Sequence, residues 1–379
     1  MTEAPSLAPL LDGRRVVLSV GCGGVGKTTT SAALAVAAAR RGKRVLCLTI
    51  DPARRLAQSL GLSWSTTEAQ DVDPALLARV GVPASGRLTI MRVDTKATFD
   101  GLVAQLAPSS ERRDRILSNV LYRYISTSLA GTQEYMAMEK VYALRDDPRW
   151  DLLIVDTPPT ANALDFLDAP ERLVGAIDSP AVRWFVQAME GSSRFRFDLV
   201  AQSAASLLRG VSKLTGSGFL EQVAAFVTEI NAIFGGWKKR ADAVSSALRG
   251  PDVAYVLVTT PDPLAIREVE FFAERLRSEQ MHTDAVVVNR VHPPFPEQGV
   301  DVALALDELE LSGGEPLAEK CRLAMRDASR QARLDRLHLL RLEGVVGDSE
   351  ATVVEVPAYA SDVYDLDALA ELGAALAPA

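Results

Sequence analysis

Cysteine is scarce in this chain: Cys22, Cys47 and Cys321 are far apart and form no C-x-x-C pair. Neither a disulfide framework nor a thiolate zinc site can therefore be read from their spacing. The three histidines, His282, His292 and His338, are equally scattered, so no structural metal is expected. Long apolar runs are missing too. Although 48% of the residues are hydrophobic, no run approaches the roughly 18 residues that a membrane-spanning helix needs. The N-terminal MTEAPSLAPLLDGRR has an acidic residue, no basic leader and too short an apolar stretch for a signal peptide, so the expected location is cytoplasmic. Positive charge is in deficit, with 41 Lys and Arg against 49 Asp and Glu and a net charge of −8. That balance speaks against non-specific nucleic-acid binding, which needs clustered cations.

What is present begins at Val16. VVLSV (16–20) is a short, mostly β-branched run; GCGGVGKT (21–28) follows, and then the Ala-rich TTSAALAVAAARRG (29–42) ending in a C-cap-like Gly42. Strand, glycine loop and helix stand in the order that the G-x-x-x-x-G-K-[ST] motif requires, met by Gly21, Gly26, Lys27 and Thr28. In such a loop the backbone amides of Gly23, Gly24, Val25 and Gly26 wrap phosphate oxygens. Lys27 offsets charge on the β- and γ-phosphates, the Thr28 hydroxyl reaches Mg²⁺, and Thr29 touches the α-phosphate.

Two further apolar runs end in carboxylates. RVLCLTI (44–50) leads to Asp51, and WDLLIVDTPPT (150–160) carries Asp156 after four apolar residues. At the C-terminal edge of a parallel sheet both acids would face a ligand. Asp156 fits a Walker-B role, holding Mg²⁺ directly or through its water, and Asp51 can orient or deprotonate the attacking water. An Asp after a strand also serves as a helix N-cap.

Taken together, GCGGVGKTT, TIDPARRLAQSLG and DTPPTANALDFL resemble the ArsA-type ATPases, the family holding the arsenical-pump ATPase and the eukaryotic ATPase that targets tail-anchored membrane proteins. The resemblance runs over nearly the whole chain. It implies ATP and Mg²⁺ as ligands, a dimer gated by nucleotide, Asp51 as the water-activating switch I aspartate and DTPPT as switch II. It further implies that Asn289, at the end of VVVN, reads the adenine base, and that VVEVPAY (353–359), with Pro357, lines the adenine pocket from the other side.

The departures from the family are as informative. Its loop reads G-K-G-G-x-G-K-T, and its first lysine reaches the partner's phosphates, but Cys22 stands there in this chain. A homodimer would lack that cation. Either a heterodimer with a lysine-containing paralogue supplies it, leaving this chain a weakly or non-catalytic ATP-binding subunit, or Arg54 or Arg55 does so from the Asp51 segment, unless these are merely solvated residues at a helix start. The zinc-clamping C-x-x-C of the targeting ATPases is absent, and no cysteine cluster provides the thiolates that select arsenite-like ligands.

Between the β motifs lie α-patterned inserts, 98–148 and 171–250. In GFLEQVAAFVTEINAIFGGW the apolar positions 219, 220, 223, 226, 227, 230, 233 and 234 form one helical stripe. The preceding FDLVAQSAASLLRGVSKL repeats it. These inserts resemble the subdomain that holds a client's transmembrane helix, but such a stripe equally suits internal packing or a subunit interface, and methionine, which suits promiscuous grooves, numbers only seven. EYMAMEK (134–140) is placed either in this helical part or beside the nucleotide, coupled to switch II.

The expected fold is an α/β P-loop NTPase, a mostly parallel central sheet flanked by helices, with an α-helical subdomain formed by inserts. The nucleotide-binding part is assigned to 1–97, 149–170 and 251–379, with a charged helical excursion at 301–345. A MinD/ParA-like positioning role lacks its expected basic amphipathic tail, since the chain ends DLDALAELGAALAPA.

Overall fold

The structure is a computed structural model. It describes residues 5–50, 56–57, 60, 68–128, 132–158, 175, 217–294, 300–310, 315–346 and 351–378. The elements in chain order are α1 (Ala8–Gly13), β1 (Val16–Val20), α2 (Lys27–Arg40), β2 (Arg44–Thr49), β3 (Gln70–Asp71), α3 (Pro74–Arg79) and β4 (Arg87–Arg92). Then follow α4 (Thr95–Leu106), α5 (Ser110–Ser118), α6 (Val120–Ser128), α7 (Thr132–Arg145), β5 (Leu152–Asp156) and α8 (Ser217–Leu248). The chain continues through β6 (Val253–Thr259), α9 (Pro263–Ser278), β7 (Ala285–Val291), α10 (Val300–Leu309), α11 (Glu315–Val346), β8 (Thr352–Pro357) and α12 (Leu366–Leu376).

Two compact units result. The first comprises Met1–Arg92, Asp147–Ala163 and Pro251–Ala379; the second comprises Val93–Asp146 and Leu164–Gly250. The first unit holds an eight-stranded sheet in the order β3-β4-β2-β5-β1-β6-β7-β8. All neighbours are parallel except the two-residue β3, which pairs antiparallel to β4. The central strands β1, β5 and β6 are buried at every position, as parallel strands covered on both faces must be, so they read as mostly apolar runs dominated by Val and Leu.

Helix α2 shows little amphipathic contrast for the same reason: from Thr30 to Ala39 every residue is buried. It packs against the sheet on one side and α12 on the other. Only small side chains permit that approach. A Cβ at Gly373 of α12 would lie 2.6 Å from the Ala33 carbonyl oxygen. Gly42, in the left-handed region at φ +83°, ends the α2 turn as its position implied.

The second unit is built of α4 to α8. Its core stacks Phe99 on Tyr122 (ring centroids 5.2 Å apart), with Trp237 edge-on to Phe99 at 5.0 Å and Tyr135 6.4 Å from Trp237. Of the α8 stripe, Ile230 and Ile233 are buried in this core and Phe226 packs against it. Residues 134–140 belong to α7, where Met136 and Met138 are fully buried. The segment FDLVAQSAASLLRGVSKL lies outside the described residues. No helix among the described residues is long and apolar enough to cross a membrane.

Candidate nucleotide site

The loop between β1 and α2 is shaped by three glycines. A Cβ at Gly21 would fall 2.2 Å from the Val258 carbonyl oxygen of β6, so only glycine lets the chain leave β1 there. Gly24 and Gly26 sit at φ +80° and +100°, left-handed backbone that side chains disfavour. Gly23 and Gly24 are exposed at the loop tip, while Val25 is buried and pins the loop to the core. Four other helices start on an aspartate, Asp73, Asp94, Asp262 or Asp365, whose carboxylate accepts from first-turn amides. Helix α2 starts on Gly26 with no side-chain cap. Its first-turn amides are thus left for an anion.

Lys27 is buried and its Nζ donates to the Cys22 carbonyl oxygen at 2.7 Å. Thr28 Oγ1 donates to Asp156 Oδ2 at 2.8 Å, and Thr49 Oγ1 donates to the same oxygen at 3.2 Å. This meeting follows from the sheet: Asp156 ends β5 between β1 and β2, in register with Ser19 and Thr49. Thr157, the next residue, anchors the chain by donating to the Ser19 carbonyl oxygen at 2.7 Å.

From the other flank Asn289 of β7 approaches the loop. Its Nδ2 donates to the Val25 carbonyl oxygen at 2.9 Å and its Oδ1 accepts from the Arg290 amide at 3.0 Å. A Cβ on Gly26 would lie 2.3 Å from that Nδ2. A cavity of about 530 Å³ opens here, lined by Gly26, Thr29, Asn289, Arg290, Pro357 and Tyr359 among others, well within the roughly 300–1,000 Å³ usual for small-molecule sites. A cavity of about 610 Å³ adjoins it across His292 and Pro357, but its walls include no part of the phosphate loop.

The structure therefore brings Gly26, Lys27, Thr28, Thr29, Asp156, Asn289 and Pro357 to one sheet edge. Asp51, Arg54, Arg55 and the switch segment after Pro158 lie outside the described residues. Sequence reasoning missed Thr49 and Arg290, while Tyr359 closes the VVEVPAY segment expected at the adenine pocket. Thr49 was findable as the last residue of a buried strand, whereas Arg290 carries no motif. Cys22 is half-buried, and burial, aided by the negative charge of Glu268, raises its thiol pKa. A neutral thiol offers no positive charge to a phosphate.

A parallel sheet with this loop after β1, a Thr–Asp pair at neighbouring strand ends and a nucleoside-sized cavity beside them defines a P-loop nucleotide hydrolase. The anion-transporting ATPase (ArsA ATPase) family matches residues 14–305, so the chain belongs to that family and is an ATPase. It is similar to the ATPase GET3 of Phaeosphaeria nodorum, 27% identical over 304 residues covering 78% of this chain and 82% of that protein. It is likewise similar to the ATPase GET3 of Malassezia globosa, 25% identical over 304 residues covering 77% and 78%.

Proposed function

We propose that this chain is a Mg²⁺-dependent, cytoplasmic ATPase working as a nucleotide-gated dimer, in which the nucleotide state sets the arrangement of the helical inserts. The observation that carries the catalytic reading is the 2.8 Å hydrogen bond joining Thr28 to Asp156 at the mouth of the loop. A hydroxyl and a carboxylate are the hard oxygen donors that magnesium prefers, and these two residues would hold it, Asp156 directly or through water. Magnesium, when bound, neutralises charge on the β- and γ-phosphates.

The chain's own residues do the rest. The amides of Gly23 to Gly26 and the α2 N-terminus bind the phosphates, and Lys27 exchanges the Cys22 carbonyl for the β/γ oxygens. Thr29 borders the α-phosphate. Asn289 retains a second amide proton and a carbonyl lone pair beyond its two bonds to Val25 and Arg290. That donor and acceptor suit the edge of adenine, with Pro357 as the opposite wall. Asp51 orients the water that attacks the γ-phosphorus as the bond to the bridging oxygen breaks, yielding ADP and phosphate.

The client role, delivery of hydrophobic membrane-protein segments, rests on the GET3 relatives and on the helical inserts. Phe226, Ile230 and Ile233 of the α8 stripe belong to the core of their own unit, so the client surface must come from other residues. Cys22 supports a second reading, in which this chain is the ATP-binding but weakly catalytic half of a heterodimer whose paralogue supplies the lysine. The test is ATP turnover by the purified chain alone and with chains that co-purify in ATP. Asp51→Asn should retain ATP while slowing hydrolysis at least about a hundredfold, and Lys27→Ala should weaken both. Unchanged turnover in Asp51→Asn removes that residue from the mechanism, and turnover appearing only with a co-purified paralogue selects the heterodimer.

A further inference from the structure

Strand β7 departs from regularity at the nucleotide cavity. Val288 pairs with Glu355 and Val291 with Pro357, so Asn289 and Arg290 together stand against one residue of β8. This is a bulge, and its second residue, Arg290, has φ +61°, a conformation that glycine adopts without penalty and arginine does not. In a regular strand consecutive side chains point to opposite faces. The bulge cancels that alternation: Asn289 Nδ2 reaches the Val25 carbonyl at 2.9 Å, and Arg290 Nη1 reaches the adjacent Gly24 carbonyl at 3.3 Å. A bulge beside a site commonly re-aims a side chain, and strained backbone persists where function requires it.

The re-aimed guanidinium is also lightly engaged. It is exposed, lines the same cavity as Gly26 and Thr29, and pairs with no carboxylate among the described residues. Its single bond to Gly24 is long and made to a neutral oxygen, whereas a guanidinium bonds most strongly to anionic oxygens, often two at once. The loop itself contributes Lys27 as a cation, and Cys22 stays uncharged.

We propose that Arg290 is a second phosphate-binding cation of this site: on nucleotide binding its guanidinium leaves the Gly24 carbonyl for a phosphate oxygen of the nucleotide in the same subunit. The proposal rests on the reading that this site binds ATP. It places the extra positive charge in β7.

The experiment is equilibrium dialysis of the full chain with radiolabelled adenosine and radiolabelled Mg-ATP, for the unmodified protein and for Arg290→Ala, Arg290→Gly and Arg290→Lys. Losing one charge-assisted bond should weaken ATP about tenfold in the Ala and Gly variants and leave adenosine within about twofold, with Lys recovering part of the loss. Arg290→Gly suits the left-handed backbone, so it separates loss of the guanidinium from misfolding. Equal weakening of adenosine and ATP would show that Arg290 only braces Asn289 and the loop, and no weakening of either would show that it has no part in binding; both overturn the proposal. An unmodified chain that binds no ATP overturns the nucleotide reading first, and this proposal with it.

Discussion

The cluster beneath the nucleotide site and the cluster of the helical unit solve the packing problem with different side chains. Among the described residues, the cluster that carries the nucleotide site contains 37 buried residues, all Ala, Val, Leu, Ile or Cys, with no aromatic ring among them. The helical unit's cluster has 11 among its described residues, four of them Phe99, Tyr122, Tyr135 and Trp237. Small side chains let backbone approach backbone, as α12 approaches α2 at Gly373, and a loop that presents amides to phosphate needs a frame of that kind. Large rings bring area rather than close approach. They also bring polar atoms into the interior, and the helical unit contains an ion pair on a buried carboxylate: Glu139 accepts from Arg240 Nε at 2.7 Å, and the half-buried Arg240 guanidinium lies 4.4 Å from the Tyr142 ring centroid.

If that contrast is sound, the largest loss of stability should come from an aromatic. Trp237→Ala removes a ring that touches both Phe99 and Tyr135 and should cost about 4 kcal/mol, read by urea denaturation, with ATP affinity of the surviving folded fraction unchanged. A cost under about 1 kcal/mol would mean that the aromatic cluster is not what holds the helices.

Next comes the ion pair. Arg240→Ala strands a buried carboxylate and should cost about 3 kcal/mol, whereas Glu139→Gln should cost much less because the neutral amide needs no counter-charge. Equal costs would show that Arg240 acts by packing rather than by charge.

In the nucleotide-binding unit the sensitive quantity is separation. Gly373→Ala adds one methyl against the Ala33 carbonyl and should cost about 2 kcal/mol as α12 is pushed off α2, visible as a lowered melting temperature. A neutral outcome would show that the two helices yield easily.

The smallest effect is a difference in pH response. Hydrogen bonds from Arg44 hold Asp151 down to about 2, below the roughly 3.9 of an unfolded chain. Its contribution is therefore present above that unfolded value and is lost as pH falls towards 2. Burial raises Glu139 above the ordinary carboxylate range, although Arg240 opposes it. That contribution is complete below the unfolded value of about 4.3 and is lost as pH rises through the folded one. Acidification from pH 6 to 3 should weaken the nucleotide-binding unit while favouring the helical one. Urea unfolding followed by Trp150 or Trp237 in single-tryptophan variants should show midpoints drifting apart, and parallel drift would refute the assignment.

Much of the nucleotide-binding unit was legible because its strands are buried on both faces. VVLSV begins and ends where β1 does, and the run from Arg44 starts β2 at its first residue. Strand β4, RLTIMR, escaped because arginine at both ends and an inward Thr89 interrupt the apolar run. The two residues of β3 are too few to show any period. Arg290 escaped for a different reason: period-two reasoning sends it to the face opposite Asn289, and only the bulge brings both to the loop.

What the sequence determined alone is what is contiguous. The spacing from Gly21 to Thr28 makes a phosphate loop because strand, turn and helix start are neighbours along the chain, and local backbone preference suffices to shape them. The tertiary structure decided which distant groups serve that loop: Thr28 meets Asp156 across 128 positions, and Asn289 meets Val25 across 264. Those meetings depend on strand order and on one irregular register in β7. Both are set by packing of the whole sheet, to which no short stretch of chain has access.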